Sequence, residues 1–229
     1  MTEQPDEEAV RKAEQYDQRP FIQNLAQGAG LALSAKVGLQ SQWDILDFGC
    51  GTGLVLQRVA DNVHAAVGID SGQGMVHVLS QKKLKNVTAC CMELSPANTL
   101  QQHCRQHGLS ANDAPQSFDL VYSSMTLHHL QDIVATVKML KAYLKPGGAL
   151  VAFDFEKGPE SMLFHPQPIS PSVYHKGGFA ADDLRTIWQD QGLKEVSREK
   201  VHRFTKEVND DNGKPKKVVF WMLMVRGTI

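Results

Sequence analysis

No stretch of this sequence holds the roughly 18 uncharged apolar residues that a membrane-crossing helix needs. No sign of charge predominates either: 24 basic residues stand against 25 acidic ones, for a formal net charge of −1. A chain so balanced has no overall field to draw it to phosphate backbones or anionic lipid, so neither nucleic acid nor membrane is an expected partner. The opening residues MTEQPDEEAV are acidic and lack the basic flank and apolar run of a secretory signal, and a cytoplasmic location is expected. Cysteine is scarce. The four, at 50, 90, 91 and 104, form no CxxC pair and no spaced framework, which excludes a disulfide scaffold and a zinc module. Cys90 and Cys91 are neighbours in a strand-like run, so they point to opposite faces and cannot easily grip one ion together. His103 and His107 stand four apart with Cys104 between them. No second Glu and no distant third ligand accompanies them, and no metal is expected.

What is present is the composition of a globular core, 42% hydrophobic and 21% charged, which excludes the disordered, coiled-coil and collagen-like classes. The 229 residues read as a single domain. Phe21, Leu25, Ala29 and Ala32 recur at helical spacing, and Pro20 suits a helix start, so residues 1–40 are expected to form a helical cap before the sheet. Trp43 to Phe48 is a short apolar run ended by Gly-Cys-Gly-Thr-Gly, after which Leu54 to about Asn62 keeps helical register. The alternation repeats, with strands predicted at His64–Ile69, Asn86–Cys91, Phe118–Tyr122 and Ala149–Asp154. Helices are predicted at Met75–Lys82, at Ala97–His107 and along the stripe Ile133, Val137, Leu140 and Leu144. A loop is expected over 108–116. Repeated βα units imply a parallel sheet. Residues 156–179, rich in proline and glycine, interrupt the rhythm and are expected to be a lid or wall of a substrate pocket. After a helix carrying Leu184, Ile187 and Trp188, the segments Leu193–Thr205 and Val218–Val225 flank a turn at 209–213. They form a hairpin, so the sheet should finish with one reversed strand. Lys214, Lys216 and Lys217 then fall at a charged hairpin tip.

The chemistry-bearing pattern starts at the first strand. A glycine turn between strand and helix lets the backbone approach a ligand, and the helix offers free N–H groups. Gly49, Gly51 and Gly53 follow G-x-G-x-G and lack the final spacing of the dinucleotide fingerprint. A tight structural turn is the plain alternative. Asp70 closes the second strand, about twenty residues on, where a carboxylate can accept both hydrogen bonds of a ribose diol. Its plain alternative is a cap for the next helix.

Ile45-Leu-Asp-Phe-Gly-Cys-Gly-Thr-Gly53 resembles the first motif of class I S-adenosylmethionine-dependent methyltransferases, and Gly68-Ile-Asp-Ser71 with Met75 is similar to their second. Phe118 to Leu130 and Leu144 to Leu150 resemble the fourth and fifth. The likeness runs from about Gln15 through Tyr174-His-Lys-Gly-Gly-Phe179 to the terminal hairpin, and it is to the ubiquinone-biosynthesis-like small-molecule group. It implies a Rossmann-like, doubly wound α/β fold, with a seven-stranded, mostly parallel sheet and a C-terminal antiparallel hairpin strand. It also implies S-adenosyl-L-methionine as cofactor and S-adenosyl-L-homocysteine as product. By position, Gly49, Cys50, Gly51 and Gly53 would approach the methionine moiety, and Asp47 would help hold its amino group. Asp70 and Ser71 would meet the ribose, Met75 the adenine, and the backbone at Ser123 the amino-acid end. Where relatives carry an acid followed by alanine after the third strand, this chain has Cys91-Met92-Glu93, so Glu93 or the Met92 backbone takes the adenine contact. Tyr16 occupies the place of an aromatic ring over the sulfonium, which a π face attracts; packing of its helix is the alternative.

Methyl transfer is an in-line displacement, and a base helps where the nucleophile must lose a proton. His128 and His129 follow the fourth strand, at the carboxyl edge where open α/β sheets bind ligands, and His128 is the first choice of the two. Capping or backbone hydrogen bonding is the structural alternative for both. His165, Tyr174 and His175 fall in the insertion and are candidate substrate contacts, or plain surface residues. The favoured function is an enzyme that methylates a small molecule. A cofactor-binding partner protein without transferase activity fits the glycines and Asp70 equally. A nicotinamide dehydrogenase should show the longer glycine spacing and no terminal hairpin.

Overall fold

Short apolar runs that can be buried on both faces become the inner strands of the structure, a computed structural model that describes residues 6–110, 117–180, 182–209 and 213–229. Two helices, α1 (Glu7–Asp17) and α2 (Pro20–Ala32), precede β1 (Asp44–Phe48). Then follow α3 (Leu56–Val59), β2 (Ala65–Asp70), α4 (Gln73–Gln81), β3 (Val87–Cys91), α5 (Leu100–His107), β4 (Phe118–Ser124), α6 (Ile133–Lys141) and β5 (Leu144–Phe155). The chain ends with α7 (Asp183–Asp190), β6 (Lys194–Asn209) and β7 (Pro215–Thr228). The strands form one seven-stranded sheet in the order β3-β2-β1-β4-β5-β7-β6. Strands β1 to β5 are parallel, β7 runs antiparallel to β5, and β6 antiparallel to β7. The expected doubly wound, mostly parallel sheet with one reversed strand is therefore the observed architecture.

The two-residue period of a strand divides the interior into two cores. Ile45, Leu120, Tyr122, Val151 and Phe153 join residues of α2 and α3 on one face. Leu46, Val121, Leu150 and Ala152 join residues of α5, α6 and α7 on the other. The valine, leucine, isoleucine and phenylalanine side chains among them contribute roughly 1.5–3 kcal/mol each by leaving water. Trp188 of α7 is buried with them, and its indole N–H donates to the Leu150 carbonyl at 3.2 Å, which satisfies the one polar atom of that ring.

Local chemistry sets where the helices begin and end. Asp6 caps α1, Thr99 and Gln102 form a capping box on α5, and Asp132 caps α6. Pro20 opens α2, and a π-helical turn over Leu33–Val37 carries it to Gly38. Several limits depart from the expected ones. The helical register after the glycine turn yields only four α-helical residues and then a 3-10 turn at Ala60–Asn62. Helix α5 starts at Leu100 because Thr99 caps it, while Ser95 and Asn98 pair with each other ahead of it. The α6 stripe stops at Lys141, and Leu144 belongs to β5, where Phe118 N–H already donates to the adjacent Tyr143 carbonyl. Both hairpin strands run longer than expected. The predicted turn at 209–213 and loop at 108–116 fall largely on 210–212 and 111–116, outside the described residues.

Two appendages dress the carboxyl edge of the sheet. Helix α1 lies on α4, where a methyl group added at Gly74 would stand 2.5 Å from the Ala9 carbonyl carbon and oxygen. Asp17, at the end of α1, pairs with Lys82 at 2.7 Å and accepts the Thr52 hydroxyl, which ties the cap to the glycine turn. Residues 156–179 form a strap. Phe164 stacks on Phe155 with ring centroids 4.1 Å apart, and the Tyr174 and His175 amides both donate to the His128 carbonyl at 3.0 Å.

The close approach at Gly74 yields a test. Gly74→Ala places a side chain against backbone that cannot yield, at a cost of about 1–3 kcal/mol. The expected outcome is faster amide hydrogen exchange over residues 7–17 with the strands still protected; unchanged protection of α1 would refute the packing.

Candidate functional site

Beyond Phe48 the backbone turns through Gly49, Gly51 and Gly53 with φ of 73°, 54° and 75°, the left-handed region that side chains rarely tolerate. The Gly49 and Cys50 amides donate to the Ile69 carbonyl at 2.8 and 3.0 Å, which holds the turn beside β2. A Cβ on Gly49 would collide with Thr126 at 2.4 Å, whereas one on Gly51 would meet nothing within 4 Å. Thus Gly49 is bare to admit protein, and Gly51 faces open space. Asp70 accepts the Gly51 N–H at one carboxylate oxygen and the Gly72 N–H at the other, both at 2.8 Å. Two of its roughly four acceptor sites stay free.

These residues border a cavity of about 590 Å³ at the carboxyl edge of the sheet, roofed by α1 and α2. Of the residues singled out in the sequence, Tyr16, Gly49, Cys50, Gly51, Asp70, Ser71, Met75, Met92, Glu93 and His129 line it. The others do not. Gly53 instead faces Leu79 of α4, which a Cβ would meet at 2.3 Å. Ser123 is buried with its hydroxyl donating to the Phe48 carbonyl at 2.9 Å, and its neighbour Ser124 is at the wall. No residue of 156–179 is among the lining residues of this cavity; the strap packs on Phe155 and bonds to the His128 carbonyl. Within it, His165 packs on Phe164, Tyr174 is half exposed, and the His175 ring bonds to the Leu130 carbonyl at 3.1 Å.

The two adjacent histidines part company. His128 turns inward: its Nδ1 lies 2.8 Å from an Asp154 oxygen, its amide donates to the other at 3.1 Å, and both side chains are buried. The Phe155 amide adds a third donor to that carboxylate at 2.8 Å. His129 stays at the wall. Its Nδ1 lies 3.2 Å from the Ser172 carbonyl, which can only accept, so the neutral ring carries its proton there and leaves Nε2 as the free base. Burial lowers its pKa, and neighbouring His128 adds to the effect. His165, 6.0 Å from His129 between ring centroids, is pushed down to about 4 by burial and by His128 and His129.

Asp47 sits directly beneath the glycine turn. It is wholly buried, accepts the Tyr122 hydroxyl at 2.9 Å on one oxygen, and has no partner for the other among the described residues. Burial pushes its pKa up to about 8, with the charge of Asp70 adding to the shift. Cys50 is buried too, and its thiol is raised well above the ordinary range, which makes it unreactive.

Sequence reasoning missed Asp154, Thr126, Met125 and the Asp17–Thr52–Lys82 tie. Asp154 carries a signal, a lone acid inside the apolar run of a central strand. Met125 carries none: it lines the cavity with a φ of 56°, and its amide donates to the Phe153 carbonyl at 2.8 Å.

Comparison with known proteins agrees with this geometry. Residues 13–198 match the methyltransferase domain family. An uncharacterized methyltransferase of Schizosaccharomyces pombe is 34% identical over 164 residues, which cover 67% of this chain and 54% of that protein. The ubiquinone biosynthesis O-methyltransferase of Nitrosospira multiformis is 28% identical over 121 residues, 53% of this chain and 46% of that protein. The chain thus spans about half the length of these curated relatives. A crystal structure of a SAM-dependent methyltransferase from Aquifex aeolicus superposes with a TM-score of 0.59 at 19% identity, covering 96% of this chain and 98% of that one. At that identity the likeness concerns the fold.

The buried carboxylate at Asp47 carries a pH signature. Its folded pKa lies above the unfolded one, so stability is greatest below the ordinary carboxylate range and declines as pH rises toward about 8. Asp47→Asn should remove this decline and stabilise the protein at neutral pH by about 1–3 kcal/mol, read as melting temperature against pH. A variant destabilised equally at every pH would contradict this account.

Proposed function

Because the chain belongs to the methyltransferase domain family, with a class I fold and S-adenosylmethionine as its cofactor, we propose that it transfers a methyl group to a small-molecule acceptor with His129 as the general base. The residues present fit the cofactor on two counts. Gly51 leaves its side-chain space open toward the cavity, and Asp47 has one buried oxygen with no partner among the described residues, suited to a cationic donor such as an amino group. Asp70 would hold a ribose diol with its remaining lone pairs. Ser71 would stand with Asp70 at the ribose, Met75, Met92 and Glu93 would border the base, and Tyr16 would lie toward the sulfonium. Once bound, the cofactor supplies an electrophilic methyl group on positively charged sulfur.

The chain's own contribution is placement, exclusion of water and removal of one proton. Ile22, Leu25, Ala26, Met125, Leu130 and Met139 make the rest of the wall apolar, which favours a small organic acceptor held out of water. The net charge of −1 also argues against a polymer acceptor such as nucleic acid. The observation that carries the reading is His129: one ring nitrogen is committed to the Ser172 carbonyl, so the other is an unprotonated acceptor in the same cavity as Asp70 and Gly51. His128 holds the turn that presents it, through Asp154, and is a positioning residue.

Two experiments test this. Asp70→Ala should weaken S-adenosylhomocysteine binding by about a hundredfold in calorimetry, the loss expected for two charge-assisted hydrogen bonds. With labelled methyl donor and metabolite extract, His129→Ala should lower turnover about 10²–10³-fold at unchanged cofactor affinity. In the wild type, activity should persist at neutral pH and fall only as pH drops through the lowered His129 pKa, because the base must be neutral. In contrast, His128→Asn should first lower the melting temperature, since it removes one of three donors to a wholly buried carboxylate, worth about 1–3 kcal/mol. Normal turnover in His129→Ala would refute the assignment.

A further inference from the structure

Lys206, on β6, lies where few lysines are found. Its ammonium stands 4.7 Å from the centre of the Phe21 ring and 4.5 Å from that of Phe164, and donates to the Phe164 carbonyl. Among the described residues no carboxylate pairs with it, and none pairs with Arg19, which immediately precedes α2. Asp17, Asp154, Glu156 and Glu160 are engaged elsewhere, with Lys82, His128, Lys200 and Lys216. Burial pushes the Lys206 pKa down to about 8, and the charge of Arg19 adds to the shift. That shift is the mark of a half-buried cation with no counter-ion.

The cluster stands beside the cavity without lining it. Phe21 adjoins Ile22, a wall residue, and the charge of Arg19 acts on both Lys206 and the wall residue Tyr16. On the other flank, His165 links Phe164 to His129, with centroid distances of 4.9 and 6.0 Å. Two cations without a carboxylate partner and a neutral imidazole whose buried Nε2 has no partner among the described residues make a place that favours negative charge. A cationic acceptor is disfavoured on the same grounds, since the faces of Phe21 and Phe164 already hold the protein's own ammonium.

We propose that Lys206 and Arg19 form a subsite for an oxyanion group, phosphate or carboxylate, carried by the methyl acceptor and seated where the start of α2 meets β6. The word acceptor rests on the methyltransferase reading; the anion subsite itself does not. With the anion held there, the body of the acceptor extends along the apolar wall toward His129. The subsite is thus the feature that orients one nucleophile among several a small metabolite may carry. Lysine suits such a seat because its three donors serve as a compact point charge, one of them already spent on Phe164.

The probes are inorganic phosphate and acetate, titrated into the protein by calorimetry at low ionic strength and neutral pH, with and without saturating S-adenosylhomocysteine. At least one anion should bind, and the stronger of the two identifies the headgroup. Lys206→Met keeps the stem packed between the rings and removes the charge. It should weaken that anion roughly tenfold, the value of one charge-assisted hydrogen bond, while leaving the melting temperature and the S-adenosylhomocysteine affinity unchanged. Lys206→Arg should retain binding, and Arg19→Gln should weaken it to a smaller extent. Absence of binding by either anion, or equal affinity in wild type and Lys206→Met, overturns the proposal. A protein that binds the anion through Lys206 but fails to bind S-adenosylhomocysteine would keep the subsite and lose the methyltransferase reading.

Discussion

The Asp70 carboxylate is gripped at each oxygen by a backbone amide, Gly51 N–H from the turn after β1 and Gly72 N–H from the turn after β2. Each turn alone is a loop with many conformations. Joined through one charge, they become a single rigid edge, since hydrogen bonds to an ionised group are about twice as strong as neutral ones. The other features of the site are positioned by this edge. The turn can stay tight because Gly49 has no Cβ to strike Thr126, and its outer rim can face the cavity because Gly51 has none either. Helix α1 then closes over it, fastened by Asp17 to Thr52 within the same turn and to Lys82 beyond α4.

Beneath this edge the protein buries polarity that does not favour folding. Asp47 keeps an oxygen with no partner among the described residues in an interior where desolvation is costly, and Met125 holds a backbone angle that a side chain resists. His128 and Asp154 are buried together, joined at 2.8 Å by a hydrogen bond that offsets part of the cost of removing both from water. All of these residues lie at the carboxyl ends of β1, β4 and β5, the edge where the cavity opens. The rest of the two cores is apolar and close-packed, and supplies the stability that lets this edge stay strained and polar.

Much of this was legible in the residues. The alternation of apolar runs with helical stripes, the glycine turn and the acid at the end of the second strand are local patterns, each set within a few residues of itself. They led to the sheet and its reversed strand, and the family resemblance added part of the cavity wall, Tyr16, Met75 and Glu93 among it. The place of the strap 156–179 was not legible, for a physical reason. Proline and glycine announce a loop but carry no period, so nothing local says which surface the loop will cover. It stacks Phe164 on Phe155 and bonds to the His128 carbonyl. Ser123 and Ser124 illustrate a finer limit. Neighbours in a strand face opposite ways, and a one-residue uncertainty in where the strand opens exchanges the buried residue for the exposed one.

Local periodicity and turn chemistry, acting over single helices and strands, were enough to determine an α/β domain with a bare loop and a carboxylate at one sheet edge. Tertiary structure alone decided which of two adjacent histidines meets the cavity. His128 is captured by Asp154 and His129 by the Ser172 carbonyl, partners 26 and 43 residues away in the chain. It also decided that Lys206 would lie across the rings of Phe21 and Phe164, because β6 returns to α2 only once the whole sheet has assembled. Hydrogen bonds and burial between distant segments are paid for by global folding, and no local pattern encodes them.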